Sequence, residues 1–266
     1  QIEYNGNSKL AKAWGAVVLE RPDMNLKTDT LYLDRLKSEA FYNSFGTILD
    51  EKRKLTSIRG KYFMNEKKYR FISEVKIEDP EYILKSQQLD YYTESDKAFF
   101  YGKTTIVGKE YNIYCEKGTY DTQLQKGNFQ KNALILYNNK EIRGDSLYFE
   151  DEKNYAAATN NVSVIDTLNK SVINGHYGEI FKAKDSAIIT RRAMAINIID
   201  KDSLYIHADT LIATGPTEKR ILRGYYGVRI FKRDLRGKSD SLHLDQNTGL
   251  IKLMKLPLSR KDKQIF

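Results

Sequence analysis

The side chains that could perform catalysis or bind a metal are few and scattered. Among 266 residues there are three histidines and one cysteine. Two histidines each have an aspartate two residues away, His207 with Asp209 and His243 with Asp245, so each pair could present two types of metal ligand on one strand face. No Cys/His cluster supplies the remaining ligands, and the third histidine, His176, adds none. The sequence therefore predicts no metal site and no cofactor.

Enzymatic motifs are also missing from the sequence. It has no phosphate-cradling glycine loop, no Gly-x-Ser-x-Gly elbow and no zinc-binding His-Glu-x-x-His. Acidic residues are abundant but fall mostly at predicted turns. One enzymatic alternative is a polysaccharide-cleaving β-solenoid, in which stacked coils present paired carboxylates to a sugar. A polysaccharide-binding solenoid and a surface adhesin or structural scaffold are the non-catalytic alternatives. We predict that the protein is not an enzyme.

Charge and composition favour a β-rich protein with an anionic partner. Lys and Arg number 44 against 35 Asp and Glu, an excess that is compatible with nucleic acid, anionic lipid or phosphorylated glycolipid. The basic runs at residues 52–54 and 67–68 are short and resemble solvated turns, so no nucleic-acid partner is predicted. Tyr and Phe together reach 30 residues, and such aromatic richness with interleaved charge suits strands that bury one face.

The single cysteine and the absence of long apolar runs limit the other possibilities. Cys115 cannot form an intrachain disulfide, and its neighbour Tyr114 suggests a small core residue rather than a reactive thiol. No apolar run approaches the ~20 residues that a membrane helix needs. The sequence contains no export signal. An export signal that was removed before residue 1 is compatible with this observation.

The chain contains an internal repeat. A small or polar residue, any residue, and then Leu or Tyr recur with a spacing of about 30 residues, a period typical of stacked arrays. The repeats begin at Asp29, Gly60, Gln87, Gly118, Asp145, Gly175, Asp209 and Asp240.

The interior of each repeat shows strand periodicity. In residues 142–166, Leu147 and Phe149 alternate with polar neighbours, and Val162 alternates with Val164. We predict three short strands per repeat, and residues 186–199, the best candidate for a helix, are equally well interpreted as two strands. The whole of residues 1–266 is predicted to be a single β-repeat domain. Its ordered core spans about residues 10–258, a basic tail covers 260–263, and the chain is expected to be a fragment of a longer protein.

The repeats resemble those of the OstA-like, lipopolysaccharide-transport family of diderm bacteria. That family's units consist roughly of an Ala/Gly-Asp-x-Leu-x-Tyr-Asp strand, a turn, Ala-x-x-x-Gly-x-Val and another strand. The segments that carry the resemblance are residues 28–34, 143–150, 208–211 and 11–18. Some repeats depart from the pattern, with Gln87 or Gly118 in place of Asp and Asn-Asn-Val at residues 160–162.

The resemblance implies an all-β fold: an elongated, twisted, half-open β-jellyroll of two facing antiparallel sheets, built from about eight repeats. It also implies non-enzymatic binding and transport of lipopolysaccharide or a related acylated glycolipid across the periplasm to the outer membrane. The expected location is the periplasm, in part in association with the outer membrane. Other lipopolysaccharide-transport components are the expected protein partners.

Alternating strands in two facing sheets direct every second side chain inward, so the residues that would contact acyl chains can be named. A closed core built from the same residues is the alternative. The candidates for the lipid groove are Leu31, Leu33, Leu89, Tyr91, Leu147, Phe149, Leu211, Leu242 and Leu244. The candidates for contacts with head-group phosphates are Arg143, Arg223 and Arg229.

A stack of strands leaves an unpaired edge at each end, and such an edge can recruit another strand. Residues 13–19 and 250–254 are the predicted edge segments. We expect them to pair with other transport components or with a second copy of this chain.

Overall fold

The computed structural model describes residues 1–20, 24–50, 52–199, 202–216, 219–255 and 258–261. These residues form 23 β-strands and one turn of 3-10 helix at Lys182–Lys184, which confirms the all-β prediction. The chain divides into two compact units, Gln1–Lys131 (unit 1) and Asn132–Phe266 (unit 2). No helix within the described ranges has the length and apolarity needed to cross a membrane.

Unit 1 contains the first part of the strand series. Its strands are β1 (Ile2–Asn5), β2 (Leu10–Glu20), β3 (Asn25–Asp34), β4 (Glu39–Tyr42), β5 (Gly46–Leu49), β6 (Lys54–Ser57), β7 (Arg59–Phe63), β8 (Lys68–Glu78), β9 (Tyr82–Tyr92), β10 (Lys97–Gly108), β11 (Tyr111–Asp121) and β12 (Lys126–Gln130).

Unit 2 continues the series. Its strands are β13 (Leu134–Tyr137), β14 (Lys140–Arg143), β15 (Ser146–Glu150), β16 (Tyr155–Asp166), β17 (Ser171–Phe181), β18 (Ser186–Ile199), β19 (Asp202–Thr214), β20 (Ile221–Lys232), β21 (Leu235–Asp245), β22 (Ile251–Met254) and β23 (Leu258–Lys261).

Within each unit the long strands form a continuous antiparallel meander. In unit 1, for example, β8 pairs with β9, β9 with β10 and β10 with β11. Several hairpin turns begin with an aspartate whose Oδ1 accepts hydrogen bonds from the backbone N–H groups two and three residues later, as at Asp34, Asp121 and Asp245. This Asx-turn chemistry explains why an aspartate ends so many strands in the sequence.

The long strands bend sharply near their midpoints. At each bend the pairing register shifts, as between Thr159 and Val162 in β16. The two residues between them, Asn160 and Asn161, have left-handed backbone conformations with φ of 56° and 49°. Equivalent corners with positive φ occur at Gly15 and Ala16, Ser73 and Glu74, Arg191 and Arg192, and Tyr226 and Gly227. Each corner is a β-bulge that divides one strand into two halves.

The two halves of the strands form two layers that face each other inside each unit. Layer A contains the halves that meet at hairpins such as residues 34–39 and 92–97. Layer B contains the halves that meet at the opposite hairpins, such as residues 78–82 and 108–111. In unit 1, Tyr82 of layer B meets Tyr120 of layer A edge to face, with ring centroids 6.2 Å apart. Bent antiparallel strands in two facing layers give each unit a jellyroll-type sandwich, and its interior lies between the layers.

Two details of the predicted repeat are wrong. The predicted second and third strands of the repeat at residues 142–166 are the two halves of one bent strand, β16, and residues 186–199 likewise form the single strand β18. The glycines used as anchors at 60 and 118 correspond to the leucine of other repeats, because Gly60 pairs with Phe71 just as Leu89 does.

Strand structure extends beyond the predicted ordered core of residues 10–258. β1 lies before that core and β23 reaches Lys261, so the predicted basic tail at 260–263 begins inside a strand. Residues 262 and 263 lie outside the described residues. The same bent-strand pattern occurs in both units, and the prediction that they form one domain stays a prediction.

The corner geometry makes a testable prediction at Gly227. A Cβ atom at Gly227 would meet nothing within 4 Å, but its φ of 62° is unfavourable for any residue with a side chain. We expect Gly227→Ala to lower the free energy of unfolding by about 1 kcal/mol because of backbone strain alone. Gly6 also has open space around it but no positive φ, so Gly6→Ala is the matched control. Equal effects of the two substitutions in urea unfolding would contradict this account.

Candidate functional site

The interior of unit 1 has two chemically different walls. In layer A, side chains in register across the strands form a tyrosine-rich row: Leu33, Ala40, Tyr62, Tyr69, Tyr91, Ala98 and Tyr120. In layer B, the corresponding row is aliphatic: Leu26, Ile48, Leu55, Ile77, Leu84, Ile106 and Ile113. We call Tyr62, Tyr69, Tyr91 and Tyr120 the tyrosine wall, and Ile48, Leu55, Ile77 and Leu84 the aliphatic wall.

The space between these walls is not filled. Cavity 1, of about 320 Å³, is lined by the tyrosine wall, the aliphatic wall, Leu89 and Ala98. Cavity 2, of about 490 Å³, is lined by Leu31, Leu33, Phe41 and neighbouring side chains. Protein interiors normally contain few voids larger than a water molecule, whereas ligand pockets have volumes of about 300–1,000 Å³. The interior of unit 1 therefore contains unfilled space of the size that ligand pockets have.

Only side chains separate the two cavities. Five residues line both of them: Met24, Ile48, Tyr62, Tyr69 and Phe71. The Tyr69 hydroxyl donates a hydrogen bond to Met24 Sδ at 3.3 Å, so these two side chains form part of the partition. Methionine is flexible and adapts to irregular space, so Met24 is the most adaptable side chain of this partition.

The Tyr91 hydroxyl of the tyrosine wall is held by a carboxylate near the end of its strand. Tyr91 donates a hydrogen bond of 2.6 Å to Asp96, and burial, together with this carboxylate, raises the pKa of Tyr91 to about 12. Burial also raises the pKa of Tyr82. Tyr91 of the tyrosine wall and Tyr82 of the opposite layer therefore stay neutral at physiological pH, so neither adds a negative charge to cavity 1.

Cavity 1 has a polar rim. Asp50, Arg53, Thr93 and Thr122 line it in addition to the apolar walls. The Arg53 Nε donates to Asp79 Oδ2 at 3.0 Å, and the Arg53 side chain keeps about a third of its surface exposed. An apolar interior with a few charged groups at its edge suits a ligand that has both an apolar and a polar part.

The interior of unit 2 is filled. One row of layer A runs Phe149, Ala156, Ile180, Ala187, Ala213, Leu222, Leu244. A second row runs Leu147, Ala158, Gly178, Ile189, Leu211, Gly224, Leu242. Glycine leaves room for a larger neighbour in this row, since a Cβ at Gly178 would lie 2.7 Å from Ile189 Cδ1. Alternation of large and small side chains gives a close-packed aliphatic core.

The structure places the candidates for the lipid groove in two different environments. Leu31 and Leu33 line cavity 2, and Leu89 and Tyr91 line cavity 1. The remaining candidates belong to the packed rows of unit 2 and expose at most 2% of their surface: Leu147, Phe149, Leu211, Leu242 and Leu244. Contact of any of these residues with lipid stays a prediction.

Sequence reasoning missed most of the cavity lining. The aliphatic wall was not named, and of the tyrosine wall only Tyr91 was. A signal was present, because Tyr62, Tyr91 and Tyr120 recur at a spacing of 29 residues. The predicted register hid that signal, since it aligned Tyr62 and Tyr120 with Leu147 instead of Phe149.

The head-group candidates all lie on outward faces of unit 2. Arg143 is exposed and its Nε donates to Glu141. Arg223 Nη1 donates to Thr214 Oγ1 at 2.8 Å, and Arg229 is exposed next to the buried Val228 and Ile230. None of the three lines either cavity of unit 1. A role for them in binding phosphates stays a prediction.

The predicted edge segments lie on strands that are paired on one side. β2 pairs with β3 along its length but with β1 only through residues 10–13, which leaves residues 17–20 with one described neighbour. β22 pairs with β21, and no second partner is described for it. Both segments have backbone groups that another strand could bind.

The histidines do not gather into a site. His176 and His207 are exposed, and His243 points outward between the buried Leu242 and Leu244. Across the residues that the structure describes, no group of three or more His, Cys, Asp or Glu side chains is arranged to hold a metal ion.

Cys115 is a core residue, as predicted. It is 1% exposed, and burial raises the pKa of its thiol to about 12. Because the thiolate is the reactive species, we expect native protein at pH 8 not to react with Ellman's reagent, whereas unfolding in guanidinium should release one reactive thiol. Rapid labelling of the native protein would show that this part of unit 1 opens readily.

Comparison with known proteins supports the family resemblance for the N-terminal third. Residues 1–87 match the model of the OstA-like protein family, and this confirms the resemblance for those residues. Among solved structures, the chain is similar to the crystal structure of LptH, the LptA-homologous periplasmic component of the conserved lipopolysaccharide transport device from Pseudomonas aeruginosa. The identity is 12%, the TM-score is 0.40, and the match covers 44% of this chain and 82% of that one. The search of curated protein sequences found no match.

Proposed function

We propose that this protein binds and carries lipopolysaccharide or a related acylated glycolipid, and that it catalyses no reaction. The observation that carries the proposal is the hollow interior of unit 1, where an aliphatic wall faces a tyrosine wall across unfilled space. The OstA-like character of residues 1–87 supports it, since these residues contribute part of the cavity lining.

The walls suit acyl chains for a simple energetic reason. Burial of apolar surface contributes roughly 25 cal/mol per Å², so several methylene groups in these cavities would stabilise a complex without any covalent chemistry. Neutral phenols on the opposite wall tolerate both apolar contact and the ester or hydroxyl oxygens near the start of an acyl chain. The polar rim of cavity 1 would lie next to the sugar or phosphate part of the ligand.

The proposed location is the periplasm, in part at the outer membrane, where a carrier passes its lipid to a neighbour. The one-sided strands at residues 17–20 and in β22 would bind other transport components or a second copy of this chain by strand addition.

Native mass spectrometry tests the proposal directly. The folded protein would be incubated with lipopolysaccharide and, separately, with the matching phosphorylated sugar from which the acyl chains have been removed. We expect the acylated ligand to stay bound when the deacylated sugar is present in excess, because the acyl chains add apolar contacts that the sugar lacks. Binding of the sugar alone would instead favour a polysaccharide-binding module, and binding of neither would favour an adhesin or structural scaffold.

A further inference from the structure

Buried polar side chains replace the aliphatic core at one end of the interior of unit 2. In layer B, Lys140, Asp166, Ser171 and Asn197 stand in register across four strands. Each of these side chains except that of Lys140 belongs to a buried residue. The end of layer A faces them, with Lys182, Asp185, Arg220 and Gln246. Except for Asn197, the side chains of both groups line a small pocket.

Arg220 is the most unusual member of this group. The residue is 4% exposed, and one of its guanidinium nitrogens, Nη1, donates to the Asp185 carbonyl oxygen at 2.9 Å. Its Nε and Nη2 are shielded from solvent and have no hydrogen-bond partner. A buried guanidinium with two unused donors is costly unless something else accepts from it.

The nearest carboxylate does not fill that role. Asp166 lies 3.8 Å from Arg220 Nη2, beyond hydrogen-bond distance. Both oxygens of Asp166 already accept hydrogen bonds elsewhere: Oδ1 from Asn139 Nδ2 and the Asn169 backbone N–H, and Oδ2 from Asn169 Nδ2. Arg220 therefore has an ionic neighbour but keeps two donors available.

Two lysines at the same pocket carry further positive charge. The Lys140 Nζ is 4.0 Å from Asp185 Oδ1 while its side chain is 12% exposed. The Lys182 Nζ lies 4.4 Å above the Tyr137 ring, and its side chain is 8% exposed. The pocket lining thus holds three cations, Lys140, Lys182 and Arg220, and each has one carboxylate within 4.0 Å, that of Asp185, Asp151 and Asp166 respectively.

A second unpartnered pair of atoms lies beside Arg220. The Gln246 backbone N–H donates to the Arg220 carbonyl oxygen at 3.1 Å, and the Gln246 Nε2 donates to Asn197 Oδ1 at 3.2 Å. Gln246 Oε1 and Asn197 Nδ2 are buried without partners. Of these residues Arg220 and Gln246 line the pocket, and their unused polar atoms mark a position where a polar occupant would find hydrogen-bond partners.

We propose that Lys140, Lys182 and Arg220 form a binding site in unit 2 for a single oxyanion of the phosphate type. A guanidinium with two parallel free donors matches two oxygens of a phosphate group, and the two ammonium groups supply charge without demanding a fixed geometry. The site is separate from the cavities of unit 1, so it does not depend on acyl-chain binding.

The test is isothermal titration of the full chain with inorganic phosphate and with glucose 1-phosphate, in buffers whose ionic strength is held constant with chloride. We expect saturable binding at one site per chain. Tighter binding of glucose 1-phosphate would identify a phosphorylated sugar as the source of the anion, and equal binding would identify the phosphate group alone. Both outcomes support the site.

Substitutions in the pocket of unit 2 test whether phosphate binds there. Arg220→Gln is expected to weaken phosphate binding at least tenfold, and Lys140→Met serves the same purpose if the first variant fails to fold. Arg233, which is exposed, provides the matched control, and Arg233→Gln should bind as the unmodified protein does. The absence of saturable phosphate binding by the unmodified protein, or equal affinity in all variants, would overturn the proposal and leave only water as the occupant. Both ligands of the native mass spectrometry test carry phosphate, so that test is also run with Arg220→Gln protein, which separates acyl-chain binding in unit 1 from phosphate binding in unit 2.

Discussion

Replacement of Ala98 by phenylalanine is expected to reduce the affinity for an acylated ligand at least tenfold while the protein stays folded. Ala98 stands in the row of the tyrosine wall between Tyr91 and Tyr120, and its methyl group lines cavity 1. A benzyl side chain at this position would occupy space that the ligand needs. Displacement of only two methylene groups from the cavity costs the complex about 1.6 kcal/mol, which is more than a factor of ten in affinity.

Folding should survive this substitution because the added atoms enter existing space, whereas the same change in a filled core would be overpacked. Ala157 offers a matched control, since it points outward on β16 beside the buried Ala156. Ala157→Phe should leave lipid binding unchanged. Titration of both variants with a fluorescent acylated ligand, with circular dichroism to verify folding, measures the effect. Unchanged binding by folded Ala98→Phe protein would place the ligand outside cavity 1.

The largest expected loss of stability is in unit 2, where Leu211→Ala should lower the free energy of unfolding by about 2–5 kcal/mol. Leu211 is fully buried and stands in register between Ile189 and Gly224. Gly224 has no side chain that could move into the vacated volume, so the cavity would persist. Guanidinium unfolding followed by far-ultraviolet circular dichroism measures the change.

Leu168→Ala removes the same atoms from a residue that is 63% exposed, and it should change the unfolding free energy by less than about 0.5 kcal/mol. The single tryptophan, Trp14, belongs to unit 1, so its fluorescence follows that unit during the same titration. Similar losses for the two leucine variants would mean that the interior of unit 2 is loosely packed in solution.

The sequence was sufficient to predict strands, their approximate repeat and the inward face of several of them. Leu89 and Leu147 were selected by the same alternation, and both lie in interior rows. Alternation depends on local backbone geometry, which a single strand reveals. It does not report how far apart two facing layers stand, and that distance decides whether an inward leucine lines a cavity or fills a core.

The corners could not be predicted from residue type. Asn160 and Asn161 tolerate positive φ, but Arg191 and Arg192 take the same conformation at an equivalent corner. Arginine has no preference for the left-handed region, so the surrounding strand pairing imposes it. Without the corners, each bent strand looks like two strands, and the register of the glycine-containing repeats cannot be fixed.

The corners also determine how a chain of this kind can change in length. Among the long strands of unit 2, a strand with a left-handed two-residue corner alternates with a neighbour that passes the corner without one, as β16 and β17 do. Addition of a single residue within such a strand would turn every following side chain to the opposite face. Addition of a single strand would place two strands of the same corner type next to each other. Evolution and protein engineering should therefore lengthen or shorten this fold in whole repeats of about 30 residues, so that its size varies in steps.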